Sequence, residues 1–374
     1  MATKNAISFD TAVSIDELRV AIPSFGPTIT MIIKGEPGIG KSTLLPMLAE
    51  DNGDQWRKPG DVFPDDKYNY IYVDCPVKDP SDLGMSIPVH TSKQLEFYAS
   101  GLFMLDDPRP KYIMLDEMMK APKMAQIMYT RLALEHMAGD KPLTKGSVVF
   151  GTSNNETDGV GDSMLAHAGN RVMLVRMAKP TAMRWLTWAG EKKLNRIVRT
   201  WVAMNTRCMA SYLDGGQEDN PYIFNPTNSA MSFVSPRSLT NGAHIVMEQM
   251  SKMSPNMTKA ALAGSIGQSA AESMMALSSM EKDIVSTKDV IADPMGVDLP
   301  EKPAALFMMM FNAIDDLVTQ DDLSQFMTFT NRIPSTECKT LFYSMLCQNK
   351  RTVRLAKNNE QVKEWAKNNL DMLV

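Results

Sequence analysis

Gly35-Glu36-Pro37-Gly38-Ile39-Gly40-Lys41-Ser42 has the G-x-x-x-x-G-K-[ST] spacing of a phosphate-binding loop. Glycines there let backbone N–H groups turn inward with no Cβ in the way, and a helix N-terminus behind them adds positive potential. Such a cradle holds a chain of anionic phosphates. Lys41 then reaches the β- and γ-phosphates of ATP and Ser42 offers its hydroxyl to Mg2+. The nucleotide-binding set runs from Gly35 to Thr43 and takes in Asp116, with Ser42 and Asp116 as the metal pair. Asp116-Glu117 closes the run Tyr112-Ile113-Met114-Leu115. The first acid at such a strand end suits a Mg2+ shell, and the second can polarise a water aimed at the γ-phosphate.

Three further residues belong to the candidate catalytic set. Gly151-Thr152-Ser153-Asn154-Asn155 ends another apolar run, and an amide there can bond both the γ-phosphate and the attacking water. Either asparagine serves equally well as a turn former. Arg171 stands before the run Val172-Met173-Leu174-Val175, where it reads as a surface arginine or as a finger reaching a neighbour's nucleotide. Arg237 follows Ser235-Pro236, a serine N-cap with proline at N1. It reads as a solvent-facing helix end or as a cation that nears the phosphates when a second domain closes.

These residues need rigid elements behind them. Four constrained positions recur by chance in roughly one chain in a hundred of this length, so context has to carry the loop. Thr28-Ile29-Thr30-Met31-Ile32-Ile33 before it reads as a buried parallel strand, and Thr43 to Ala49 after it has helical composition with Pro46 in its first turns. Further strands are expected at 68–73, 111–115, 146–151 and 172–175, with a helix from Gln126 to Met137. A capping box at Ser14-Glu17 opens a helix that runs to Pro23, and 51–68 and 80–84 have loop chemistry. Strands alternating with helices predict an α/β fold with a five-stranded parallel sheet covered on both faces. From Pro180 onward the pattern is helical: 181–193, 197–213, 257–279, 302–318, 320–332 and two more helices after Pro334.

Composition narrows the partners. The chain has 374 residues and a net charge of -4, so it lacks a global basic field, though a local basic groove is compatible with that total. Lys192, Lys193, Arg196 and Arg199 form the main basic cluster in view, and their spacing suits a solvated helix face. Four scattered cysteines, with no C-x-x-C pair, signal neither zinc nor a disulfide framework. No apolar run reaches bilayer length and no leader pattern opens the chain, so a cytoplasmic protein without a membrane partner is expected. Methionine-rich stretches such as Phe307-Met308-Met309-Met310-Phe311 read as adaptable core.

Taken in order, the phosphate loop, Leu115-Asp116-Glu117, Gly151-Thr152-Ser153-Asn154, Asn170-Arg171-Val172 and Ser235-Pro236-Arg237-Ser238 resemble the MoxR-type AAA+ ATPases. The likeness is to bacterial and phage members often encoded beside a von Willebrand factor A-like protein, and it covers roughly residues 10 to 250. It implies an AAA+ P-loop NTPase core (1–190) and an all-helical lid (191–280), and leaves residues 281–374 as a helical C-terminal extension outside the likeness. It implies Asn154 as sensor 1, Arg171 as a finger acting in trans and Arg237 as sensor 2 acting in cis. A homo-oligomeric, usually hexameric ring follows, coupling ATP hydrolysis to work on a protein partner. The alternatives are a nucleic-acid motor or loader on the same core, and a nucleotide-gated assembly platform with little turnover. Two departures stand out: Gly139 to Lys145 is short where relatives carry a hairpin before sensor 1, and the tail past 280 exceeds a minimal lid.

Overall fold

The computed structural model describes residues 11–54, 56–57, 68–155, 170–226, 231–281 and 284–369. The chain divides into two compact units, Met1–Lys179 and Pro180–Val374.

In chain order the first unit contains β1 (Ala12–Val13), α1 (Ile15–Phe25), β2 (Thr30–Lys34), α2 (Leu44–Asp51), β3 (Trp56–Arg57), β4 (Tyr70–Asp74) and α3 (Pro80–Leu83). There follow β5 (Gly84–Val89), β6 (Gln94–Ala99), β7 (Tyr112–Asp116), α4 (Lys123–Glu135), β8 (Met137–Ala138), β9 (Lys141–Pro142), β10 (Val148–Ser153) and β11 (Val172–Met177). Seven strands form one sheet in the order β1-β11-β2-β10-β7-β4-β3, every pair parallel. The five expected strands are its centre. The two edge strands have two residues each, too few to leave a periodic signal.

Alternation within the strands sorts side chains to two faces. Met31 and Ile33 of β2, Met114 of β7 and Phe150 of β10 pack with Leu18 and Ile22 of α1 and Leu44, Leu45 and Leu48 of α2. Ile32, Ile113, Leu115 and Val149 pack on the opposite face with Tyr129 and Leu132 of α4. Burial on both sides is why these strands read as unbroken apolar runs. The result is the α/β architecture of a P-loop NTPase.

Two small antiparallel pairs stand outside the sheet. β5 and β6 form a hairpin in register Met85↔Tyr98 and Ile87↔Glu96, where the sequence offered only loop chemistry at 80–84. Met85, Ile87, Leu95 and Tyr98 are exposed, so the hairpin has no dry face and no in/out alternation to read. β8 and β9 pair across the turn at Gly139, whose φ is +60°. A Cβ there would stand 2.0 Å from the ring of Phe97 on β6.

The second unit is all helical in its described residues: α5 (Ala182–Glu191), α6 (Arg196–Met204), α7 (Pro236–Ser238), α8 (His244–Gln249), α9 (Pro255–Ile266), α10 (Gln268–Ser278), α11 (Thr287–Ala292), α12 (Pro303–Asp316), α13 (Gln320–Arg332), α14 (Thr336–Gln348), α15 (Val353–Lys357) and α16 (Glu360–Asn368). α6 stops nine residues short of the expected Leu213, because the Asn205 side chain turns back to the Trp201 carbonyl at 2.8 Å. The expected single helix over 257–279 is two, separated by Gly267 at φ +88°. One hydrophobic core runs from Trp185 to Val362 and includes Met308, Met309, Met310 and Phe311, all at or below 1% exposure. Polar bonds tie the helices past residue 280 to earlier segments as well: Thr187 to Gln348 at 2.9 Å and Arg196 to Glu281 at 2.7 Å. Arg199 leaves the solvated face expected of it. It is 1% exposed, ion-paired to Asp315 and stacked over the Phe311 ring. No helix among the described residues is long and apolar enough to cross a membrane.

Candidate functional site

β2 delivers the phosphate loop at the carboxyl edge of the sheet. Gly35 N–H bonds the Ser153 carbonyl at 3.3 Å, and a Cβ on Gly35 would meet Ile39 at 2.7 Å. Ile39 itself is buried in the core beneath the loop, and Pro37 is half-buried. Gly38 and Gly40 have φ of +78° and +104°, which only glycine adopts without strain. A 3-10 turn over Lys41–Thr43 leads into α2. Pro46 falls at the third position of α2, where a missing N–H costs no intrahelical bond. Thr43 is exposed and donates its hydroxyl to the Gly40 carbonyl at 2.6 Å.

Lys41 is buried. Its ammonium donates to the carbonyls of Gly35 and Glu36, both at 2.8 Å, and to Asn154 Oδ1 at 2.9 Å. Asn154 Nδ2 lies 3.4 Å from Glu117 Oε1, so one amide joins the loop lysine to the second acid. β10 makes this link possible. It lies between β2 and β7, with Ser153 in register with Lys34 and Gly151 with Leu115.

Asp116 is the hub of the acidic side. Its Oδ2 accepts from Ser42 Oγ at 3.0 Å and from the Tyr72 hydroxyl at 2.5 Å, and its Oδ1 accepts from Thr152. Thr152 Oγ1 also accepts the Glu117 N–H at 3.2 Å. Glu117 sits at φ +50°, a left-handed conformation that costs a non-glycine residue about 1–2 kcal/mol, and Lys120 holds its carboxylate at 2.7 Å. Asp74 ends β4 directly opposite Asp116. Burial, and then the charges of Asp116 and Glu117, push Asp74 above the usual carboxylate range, while Lys78 opposes the rise. Burial and then the bond to Asp116 push the Tyr72 phenol far up, so it stays a donor.

The structure therefore brings together Gly35 through Thr43, Asp116, Glu117 and Asn154. It adds Tyr72, Thr152 and Asp74, which the motifs did not single out. Tyr72 and Asp74 share a strand face with period two, and that period running into a terminal acid was their one sequence signal. Arg171 is exposed at the opposite edge: Val172 pairs with Thr30 at the start of β2, and a six-residue strand puts it roughly 16 Å from the loop end. Arg237 is exposed in the first turn of α7, where Ser235 and Ser238 form a reciprocal cap.

Among the described residues no group of three or more His, Cys, Asp or Glu side chains could hold a metal ion by itself. Ser42 Oγ and Asp116 Oδ2 present two hard oxygens to one point. That donor pair fits Mg2+, which is bound by one or two protein oxygens together with phosphates and water.

No protein-family model matches the chain, and no curated protein matches it. Among solved structures it is similar to Thermotoga maritima RuvB, the Holliday junction branch migration motor (13% identity, TM-score 0.34, 76% of this chain and 81% of that one). A point mutant of the same protein gives 12% identity and a TM-score of 0.36, over 76% and 81%. A candidate ATPase from Cytophaga hutchinsonii gives 14% identity and a TM-score of 0.32, over 78% of this chain and 92% of that one. The chain's own strand order and phosphate loop define its fold.

Proposed function

We propose that the chain is an ATPase of the AAA+ class that hydrolyses ATP with Mg2+. The observation that carries this reading is the Asn154 amide joining Lys41 to Glu117 while Asp116 and Ser42 meet beside it. A glycine turn that merely resembled a phosphate loop would have no reason to stand next to two acids and a bridging amide from other chain segments.

In this mechanism Lys41 exchanges its carbonyl partners for β- and γ-phosphate oxygens. Ser42 and Asp116 would hold Mg2+, which when bound would neutralise phosphate charge. Glu117 takes a proton from the attacking water as the new O–P bond forms and the bond to the ADP oxygen breaks. Asn154 fixes the direction of that water. Thr152 and Tyr72 keep the Asp116 carboxylate oriented. Arg171 from a neighbouring copy and Arg237 from the same chain neutralise developing charge. These two roles, the homo-oligomeric ring and a protein partner of the von Willebrand factor A-like kind are supported by the MoxR-type order of motifs.

Glu117→Gln keeps the hydrogen-bonding shape and removes the base. MgATP affinity is expected within a few-fold of wild type, with turnover reduced about 10²- to 10⁴-fold. Lys41→Ala is expected to abolish nucleotide binding in calorimetric titration. A Glu117→Gln protein with normal turnover would sink the mechanism, and a Lys41→Ala protein with normal affinity would sink the site.

A further inference from the structure

The net charge of the chain hides a local reversal at the end of the second unit. From Cys338 to Asn359 there is no acidic residue, while Lys339, Lys350, Arg351, Arg354 and Lys357 are all present. Asn349, Thr352, Ala356 and Asn359 are buried, and Lys350, Arg354 and Lys357 stand exposed in α15 and the turn before it. Arg354 and Lys357, three residues apart, share a face of α15, and Lys350 stands in the turn that leads into that helix.

Two neighbouring acids are already engaged. Asp315 is ion-paired to Arg199, and Arg351 lies 3.9 Å from it. Glu360 is paired to Lys363 at 2.7 Å. Among the described residues, Lys350, Arg354 and Lys357 have no acidic partner within ion-pair distance.

We propose that this face binds the phosphate backbone of nucleic acid. Two observations select that partner from other anions. The apolar sides of α15 and α16 are spent inside the protein through Ala356 and Val362, which leaves no apolar face to enter a lipid headgroup layer. Among the described residues no large apolar side chain from 319 to 369 is exposed, so the stripe lacks the anchors on which protein interfaces concentrate their energy. What remains is a group of three exposed cations on α15 and the turn before it, and binding of that kind is driven by release of counterions from a polyanion. Such contact carries no base readout, so binding is independent of sequence.

The test is fluorescence anisotropy of a labelled mixed-sequence oligonucleotide, single-stranded and duplex, titrated with the full chain without ATP between about 50 and about 200 mM salt. Wild type is expected to bind duplex with a log–log salt slope of about -3 or steeper. Lys350→Gln/Arg354→Gln/Lys357→Gln is expected to make that slope shallower by about 2 to 3, at about 0.9 per lost phosphate contact. Lys357→Glu alone is expected to weaken binding at low salt. Thermal melts by circular dichroism verify that both variants fold. No binding at the lowest salt, or an unchanged slope in the triple variant, overturns the proposal. Equal or tighter binding of poly-glutamate or of phosphatidylserine vesicles through the same residues overturns it too. Since no nucleotide is present, these outcomes are independent of whether the chain hydrolyses ATP.

Discussion

Asp116 has no freedom to rotate without breaking a bond to Ser42, Tyr72 or Thr152. A hydrogen bond to a charged group contributes about 1.5–3 kcal/mol, so Tyr72→Phe is expected to cost roughly 10-fold in turnover or more. It should also raise the Mg2+ concentration needed for half-maximal rate, with nucleotide affinity little changed; an unaltered Mg2+ profile would remove Tyr72 from the site. Thr152→Val goes further. It orphans the Glu117 N–H, so a stability loss of about 1–3 kcal/mol should accompany lost turnover, readable by urea denaturation. Away from the site, Asp107 is buried and its bond to Arg109 holds its carboxyl down at about 2, against an unfolded value of 3.8. A depressed carboxylate stabilises the fold above the unfolded value and loses that contribution as pH falls from about 4 through about 2. Asp107→Asn should flatten the stability curve in that window, measured by tryptophan fluorescence. The loop was legible from its spacing and Asp116 and Glu117 from paired acids closing an apolar strand, whereas Asn154 was separated from a turn-forming asparagine only by the MoxR-type order of motifs. Thr152 was not, and Tyr72 showed only its period-two spacing from Asp74, since a hydroxyl inside an apolar strand looks like ordinary β-propensity until the neighbouring strand is known.

β10 is the element on which the arrangement turns. The strand bearing the loop and the strand bearing the acids are not neighbours, and β10 between them leads to both Thr152 and Asn154. A one-residue slip of β10 would send both side chains to the wrong faces, and pairing on both sides along its length fixes that register. The five central strands were readable from their burial, whereas the β5–β6 hairpin was not, having no dry side to imprint a pattern. Its attachment is testable. Gly139→Ala places a methyl where the Phe97 ring now lies and demands a left-handed alanine, so a loss of about 1–3 kcal/mol is expected. Hydrogen exchange should accelerate across 84–99; unchanged protection there would show that the ring packs elsewhere at no cost.

At the scale of the molecule, the helices past residue 280 are part of the second unit's fold. Phe311, Phe326, Phe329 and Phe342 are fully buried in the same core as Trp201 and Leu262. Deleting 281–374 strips that core, and the shortened chain is expected to be insoluble or to lose its near-ultraviolet circular dichroism. A soluble, cooperatively melting product would refute this. Sequence alone could not decide the point, because helical periodicity says which side of each helix is apolar but not which other helix covers it. The shared core has a mechanical consequence. Ala356, between Arg354 and Lys357, sits in the same close-packed core as Trp185 of α5 and Trp201 of α6, so a displacement of that surface is passed to those helices as a body rather than absorbed at a loose joint.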